Sequence, residues 1–327
     1  MHQQFDTEQY ASMGPEPGTH DFMEDNPYLN YAGTKAEQPR ARASVAFAPG
    51  YTLGHSQREL KRLSTQATLF EPFTRRMFEQ AGLTRGMRVL DVGSGSGDVA
   101  FLAASFVGES GEVVGVDRSP AAVQAANARA KKAGFKNVTF TAGDLTTMFS
   151  ARPFDAVIGR LVLMYQADPV AVLRRLARQL RPGGVIAFQE FDVEAAKCFP
   201  ESPTFGQAMG WIRTALEKTG ADNRMGLKLY STFVAAGLPA PSMSLEASIG
   251  GGDSDPGSLL LPEVVRSLLP VIEELGIASA EEAEIESLAS RVRAEIAELG
   301  AVTILPTLIG AWTKLSTHWN ATRHSAV

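Results

Sequence analysis

The chain has 327 residues, 44% hydrophobic and 20% charged, enough for a sizeable core and ordinary for a globular protein, arranged as two domains or as one α/β domain with additions. Its net charge of −5 comes without a basic block, which argues against nucleic acid or an anionic membrane surface as partner. No apolar run reaches the ~18 residues of a transmembrane helix, MHQQFDTEQY lacks a signal-type apolar stretch, and the single Cys198 permits neither an internal disulfide nor a cysteine zinc cluster, so a cytoplasmic protein is expected.

Residues 1–50 are polar, carry five prolines and show no sustained period, the composition of a flexible arm; Phe22, Tyr28, Leu29 and Tyr31 would give such an arm some apolar grip on a ligand. Order is expected from Tyr51. Ser56-Gln57-Arg58-Glu59 is a capping-box pattern, followed by Leu60, Leu63, Ala67 and Phe70 on one helical face; a second helix is predicted over 71–81, stopped by Gly82. From 86 to 191, β-rich runs alternate with helices. The predicted strands are Met87–Val92, Glu112–Asp117, Asn137–Ala142, Phe154–Gly159 and Val185–Phe191. Ser119, Pro120 and Gly134 delimit one intervening helix. Another places Leu173, Leu176 and Leu180 on one side and Arg174, Arg178 and Arg181 on a solvated side. Such alternation means right-handed crossovers and a parallel sheet covered on both faces. Beyond it, helices are predicted at 203–219, 224–236, 261–274 and 280–298, the last opened by a capping box from Ser279 to Glu282. Met243–Ile249 and Val302–Leu308 read as strands, and Gly250-Gly251-Gly252 as a loop or hinge.

The strongest signal is Asp91-Val92-Gly93-Ser94-Gly95-Ser96-Gly97-Asp98, between a strand and a helix. Glycines let the backbone turn sharply and approach a ligand closely. Asp117 ends the next strand, 20 residues after Gly97, where a carboxylate can accept both hydroxyls of a ribose. Asp144 follows the third strand, in position to receive an adenine amino group. Dinucleotide fingerprints read G-x-G-x-x-G after apolar residues. This loop reads G-x-G-x-G with Asp91 two positions before the first glycine, which would repel a pyrophosphate but suit an ammonium. The pattern therefore points to S-adenosylmethionine rather than to a nicotinamide or flavin cofactor.

On these residues the chain resembles the class I S-adenosylmethionine-dependent methyltransferases over about residues 51–240. The resemblance implies a doubly wound, mostly parallel seven-stranded sheet with its last strand antiparallel. It also implies that Asp91, Gly93, Ser94, Gly95 and Gly97 wrap the methionine part, that Asp117 with Arg118 holds the ribose, and that Gly143, Asp144 and Leu145 lie by the adenine. The Leu180–Gly184 turn before the fifth strand matches as well. Segments Tyr51–Gln66 and Gly159–Tyr165 are similar to those of a bacterial small-molecule subgroup. Four units are expected: an arm over 1–50, a core over 51–250, a helical insertion over 251–300 that caps the acceptor pocket with the 51–80 helices, and a last strand and tail over 301–327.

In open α/β sheets ligands bind beyond the carboxyl ends of the strands, which puts Gly159-Arg160 and Gln189-Glu190 at the expected mouth. Arg62 and Gln66, four apart on one helix face, are candidates for the methionine carboxylate, with Arg160 beside the cofactor. Because the donor is already activated, a base is needed only where the acceptor must lose a proton. Glu190, His55 and Tyr165 are the candidates; Glu190 would otherwise pair structurally with Arg160. No metal-binding pattern is present. The expected function is methyl transfer to a small organic acceptor, the alternative a cofactor-binding regulator without catalysis.

Overall fold

The computed structural model describes residues 57–145, 147, 150–252 and 255–318, with side chains from residue 66 onward. The expected arm, the Ser56 cap, His55 and the Arg62 side chain lie outside what is described. The order is α1 (Gln57–Ala81), β1 (Arg88–Val92), α2 (Asp98–Val107), β2 (Glu112–Asp117), α3 (Pro120–Ala133), β3 (Val138–Ala142), β4 (Phe154–Arg160), a 3-10 turn (Leu163–Tyr165), α4 (Pro169–Ala177), β5 (Leu180–Asp192), β6 (Lys197–Phe199), α5 (Pro203–Lys218), α6 (Met225–Ala235), β7 (Ser242–Glu246), β8 (Ile249–Gly251), α7 (Pro256–Glu274), α8 (Ala280–Ala283), α9 (Leu288–Leu299), β9 (Val302–Ile304) and β10 (Thr307–Lys314).

Local chemistry starts most of these helices. Ser119, Asp168, Ser202 and Asp255 each accept the backbone N–H three residues on, and each is followed by proline at the first helical position. The proline has no N–H to leave unsatisfied there. Ser279 and Glu282 make the reciprocal capping box that the sequence predicts.

Seven strands pair in the order β3-β2-β1-β4-β5-β10-β7. β1 to β5 run parallel, and β10 runs antiparallel to both neighbours, as the resemblance implies. Alternation along each strand separates two cores. Val89, Ala156, Ile158, Val185 and Ala187 face Met77 and Phe78 of α1 together with α2 and α3. Leu90, Val92, Val157, Ile186 and Phe188 face α4, α5 and α6.

Several expectations need correction. The two helices before the sheet are one: α1 continues through Pro72, because burial of Phe70, Met77 and Phe78 against the rest of the molecule outweighs one missing amide bond. The Leu180–Gly184 turn is drawn into β5; Phe154 pairs with Leu180 and Ala156 already with Val185, so the extra residues form a bulge. Met243–Ile249 divides into β7 and β8, and Val302–Leu308 into β9 and β10. Gly250 and Gly251 lie in a strand of a second sheet, ordered β6-β9-β8. The 280–298 helix breaks at Glu284, whose φ is 43°; buried Ile285, Leu288, Val292 and Ile296 keep the stripe on both sides of the break. The arginine row is not wholly solvated, since Arg174 donates to the Ala235 carbonyl at 3.1 Å and Arg181 pairs with Asp155.

Candidate functional site

β1 enters the glycine loop at Val92. Gly93 and Gly95 have φ of 63° and 51°, the left-handed region that side chains disfavour. At Gly93 the limit is also steric, because a Cβ there would come 2.6 Å from a Val162 methyl. At Gly95 a Cβ would meet none of the described residues within 4 Å, so among them the backbone borders open space. Asp117 sets the loop's shape: its carboxylate accepts the Gly95 and Ser119 amides, each at 2.8 Å. The loop also closes on itself through Gly97 N–H to the Ser94 carbonyl at 2.8 Å.

Beneath the loop lies Asp91, 1% exposed. Among the described residues only the Ala100 amide approaches its oxygens, without regular hydrogen-bond geometry, and the buried Ser94 hydroxyl has no partner. Burial pushes the Asp91 carboxyl well above the usual carboxylate range; the Arg160 charge opposes this, and the Asp117 charge adds to it. Arg160 is the basic group on the same face. Its guanidinium donates to Thr74 Oγ1 at 3.0 Å, and Thr74 in turn donates to Gln189 Oε1 at 2.8 Å. Burial lowers the Arg160 pKa, while Asp98, Asp91 and Glu71 hold it up.

Arg160 also borders a cleft of about 390 Å³ between α1 and α2, with Glu71, Arg75, Asp98 and Arg129 on its walls. Two of the three arginines there are matched, Arg75 with Glu71 and Arg129 with Asp98, both at 2.7 Å. The sequence reading missed these wall residues and Thr74. Glu71, Thr74 and Arg75 lie within α1, Asp98 opens α2 and Arg129 lies within α3, and only the packing of these helices on one face of the sheet brings them together.

The other expected residues are placed as follows. Asp117 is partly buried, Asp144 and Arg118 are exposed, and Gly143 donates its amide to the Asp117 carbonyl at 2.9 Å. Leu145 packs on the larger core and Gln66 is partly buried. Tyr165 is 43% exposed at the end of the 3-10 turn. Gln189 and Glu190 are not at a mouth; both are fully buried, inside β5 rather than at its end. Glu190 does not pair with Arg160. Arg160 stands opposite Gln189 in the β4–β5 register, so the next residue, Glu190, points to the other face. There its carboxylate accepts the amides of Val162 (2.9 Å), Leu163 (2.7 Å) and Met164 (3.3 Å). Burial raises its pKa to about 7 against the pull of those three amides. Among the described residues no group of three His, Cys, Asp or Glu side chains is placed to hold a metal ion, and no helix is long and apolar enough to cross a membrane.

With this geometry in hand, known proteins place the chain. Residues 83–229 match the family profile described as a methyltransferase domain. The aklanonic acid methyltransferase DauC of Streptomyces sp. strain C5 is 38% identical over 135 residues, 41% of this chain and 61% of that protein. The nocamycin O-methyltransferase of Saccharothrix syringae is 38% identical over 124 residues, 38% and 44% of the two chains. The match thus spans 44% to 61% of the length of these two curated relatives. The crystal structure of a candidate methyltransferase from Bacillus halodurans shares the fold, with a TM-score of 0.50 at 16% identity over 75% of this chain and 99% of that one. Residues 83–229 are thus similar to a methyltransferase domain, and the seven-stranded sheet around them is the fold that such enzymes share.

Proposed function

We propose that the protein transfers a methyl group from S-adenosylmethionine to a small organic acceptor. The observation that carries this reading is Asp91, a buried carboxylate with unfilled oxygens directly beneath a loop whose Gly95 opens on free space. Leaving a buried acid with only one irregular amide approach, that of Ala100, costs folding free energy. A ligand ammonium arriving there would recover part of that cost, whereas a pyrophosphate would add a like charge. The cofactor supplies a methyl group on an already activated sulfonium.

The residues then divide the remaining work. Asp91, with the Ser94 hydroxyl, would hold the methionine ammonium. Asp117 already binds two amides, yet a carboxylate has about four acceptor sites, so it can also take ribose hydroxyls. Gly143, Asp144 and Leu145 would border the adenine, and Arg118 the rim. Arg160, held by Thr74 and with no ion-pair partner as close as those of Arg75 and Arg129 among the described residues, would meet the methionine carboxylate; Gln66 and Arg62, further back on α1, are the other candidates. Tyr165 would border the acceptor. Phe70 of α1 meets Phe191 at 5.3 Å between ring centres and packs with Leu260 of α7 and Leu308 of β10. That apolar cover at the sheet's edge suits a small acceptor and the exclusion of water. In-line positioning of two reactants accounts for most of what such a site must contribute.

The test is direct. S-adenosylhomocysteine should bind and raise the melting temperature by mass action, and NADH should not. Gly95→Val should lose the ligand, because its side chain would enter the open space beside the loop and strain the left-handed backbone there, and its melting temperature without ligand reports whether the fold survives. A folded Gly95→Val variant with normal affinity would refute the assignment. Release of S-adenosylhomocysteine against a panel of hydroxyl, amine and thiol acceptors would then separate an enzyme from a non-catalytic binder.

A further inference from the structure

One buried acid remains without a role in that scheme. Glu190 lies on the sheet face opposite Asp91 and is closed to any ligand. Its carboxylate gathers three consecutive amides, Val162, Leu163 and Met164. The chain must bend to present them: Leu161, just before, has φ 58°, a rare conformation for a residue with a side chain. A second clasp holds the same turn, because the Met164 carbonyl accepts the Asp222 amide at 2.8 Å. The held turn then reaches the glycine loop. The Val162 side chain occupies the space where Gly93 would carry a Cβ, 2.6 Å from that position.

We propose that Glu190 is a positioning residue: by gripping the Val162–Met164 backbone it seats the Val162 side chain against Gly93, and so sets the ligand-binding shape of the glycine loop from the far side of the sheet. The role rests on the reading of that loop as the S-adenosylmethionine site. A carboxylate grips N–H donors best when ionised, since charge-assisted bonds are the stronger kind. Once protonated, one oxygen becomes a donor and faces an amide that also donates. The turn offers no ionisable side chain at Val162, Leu163 or Met164, and the β10 residue opposite in register is Ile309. The charge that acts on Glu190 is Asp222, before α6, itself paired with Lys228 at 2.5 Å. Burial moves the titration close to neutrality, so the grip loosens within an accessible pH range.

The experiment measures S-adenosylhomocysteine affinity by calorimetry for the intact protein, Glu190→Gln and Val162→Ala from about pH 5.5 to about pH 8.5. Glu190→Gln should bind about tenfold more weakly at the alkaline end and within about twofold of the unaltered protein at the acid end, where the native side chain is itself neutral. A role confined to folding would give a ratio that does not change with pH. Taking the ratio also cancels titration of Asp91, which both proteins share. Val162→Ala should weaken binding several-fold at every pH, because it removes the contact with Gly93 and leaves the carboxylate. A constant Glu190→Gln ratio, or normal affinity in Val162→Ala, overturns the proposal. If Glu190→Gln does not fold, Val162→Ala still decides it. Failure of the unaltered protein to bind would instead overturn the methyl-donor reading.

Discussion

Asp91 and Glu190 are both buried acids near the carboxyl edge of one sheet, and burial raises the pKa of each. Their surroundings differ completely. Glu190, on the α6 side, has three amides in place; Asp91, on the α1 side, has among the described residues only the irregular approach of the Ala100 amide, with Arg160 as the cation that acts on it. The contrast separates two uses of a buried carboxylate. One whose hydrogen bonds are met by the chain holds backbone; one whose hydrogen bonds are left open is shaped for something else. In the sequence either acid suggests catalysis, and only the identity of its donors distinguishes them.

The sharpest way to break this comparison is Asp91→Asn. It removes a buried acid whose desolvation outweighs the opposing Arg160 charge, so the free protein should unfold at the same or a higher temperature, while S-adenosylhomocysteine affinity should fall by about 2–5 kcal/mol, the cost of truncating a buried charged partner. A destabilised variant with intact affinity would make Asp91 a structural acid like Glu190. Next is the pH dependence of stability. Glu190 titrates near 7 in the folded protein against 4.5 for an ordinary Glu. Between those values the folded form keeps a proton that the unfolded chain has released, so this group stabilises fully below about 4.5 and its contribution is lost as pH rises through about 7, by about 3 kcal/mol. Asp91, also raised, acts in the same direction. Urea unfolding at acid and alkaline pH should show the decline, and Glu190→Gln should flatten much of it; equal slopes in the two proteins would mean the Glu190 carboxyl is not the group titrating.

A smaller effect is expected at Asp117. Asp117→Ala should weaken S-adenosylhomocysteine binding by about 1–3 kcal/mol, the scale of hydrogen bonds to a charged group. Unchanged calorimetric affinity would remove it from the ribose role and leave it as the brace of Gly95 and Ser119. The smallest is at Thr74. Thr74→Val deletes the hydroxyl between Arg160 and Gln189 and should cost about 1–2 kcal/mol of stability by leaving two buried groups unpaired. Chemical denaturation would detect it, and no loss at all would show that the Arg160–Thr74–Gln189 chain is dispensable to the α1 face.

Much of this was written locally. The Asp91–Gly97 pattern, the acids after the second and third strands, and the Ser119-Pro120 and Ser279–Glu282 helix starts depend on neighbouring residues, and they could be read directly. So could the alternation of strands and helices that implies a parallel sheet. Tertiary structure alone decided the rest. Helix α1 runs on through Pro72 because its apolar side chains are buried, a long-range gain no local propensity contains. The glycines at 250 and 251 became strand because β9, some fifty residues on, pairs with them. The partners of Arg160 and Glu190 followed from strand register: β4 sets Arg160 opposite Gln189, and alternation then turns Glu190 to the other face. Register depends on which strands become neighbours and where a bulge falls, and both are settled by packing across the whole sheet. The amino-acid sequence thus determined the glycine-loop pattern and its two acids, and the fold determined which of two similar buried acids was left without regular hydrogen bonds.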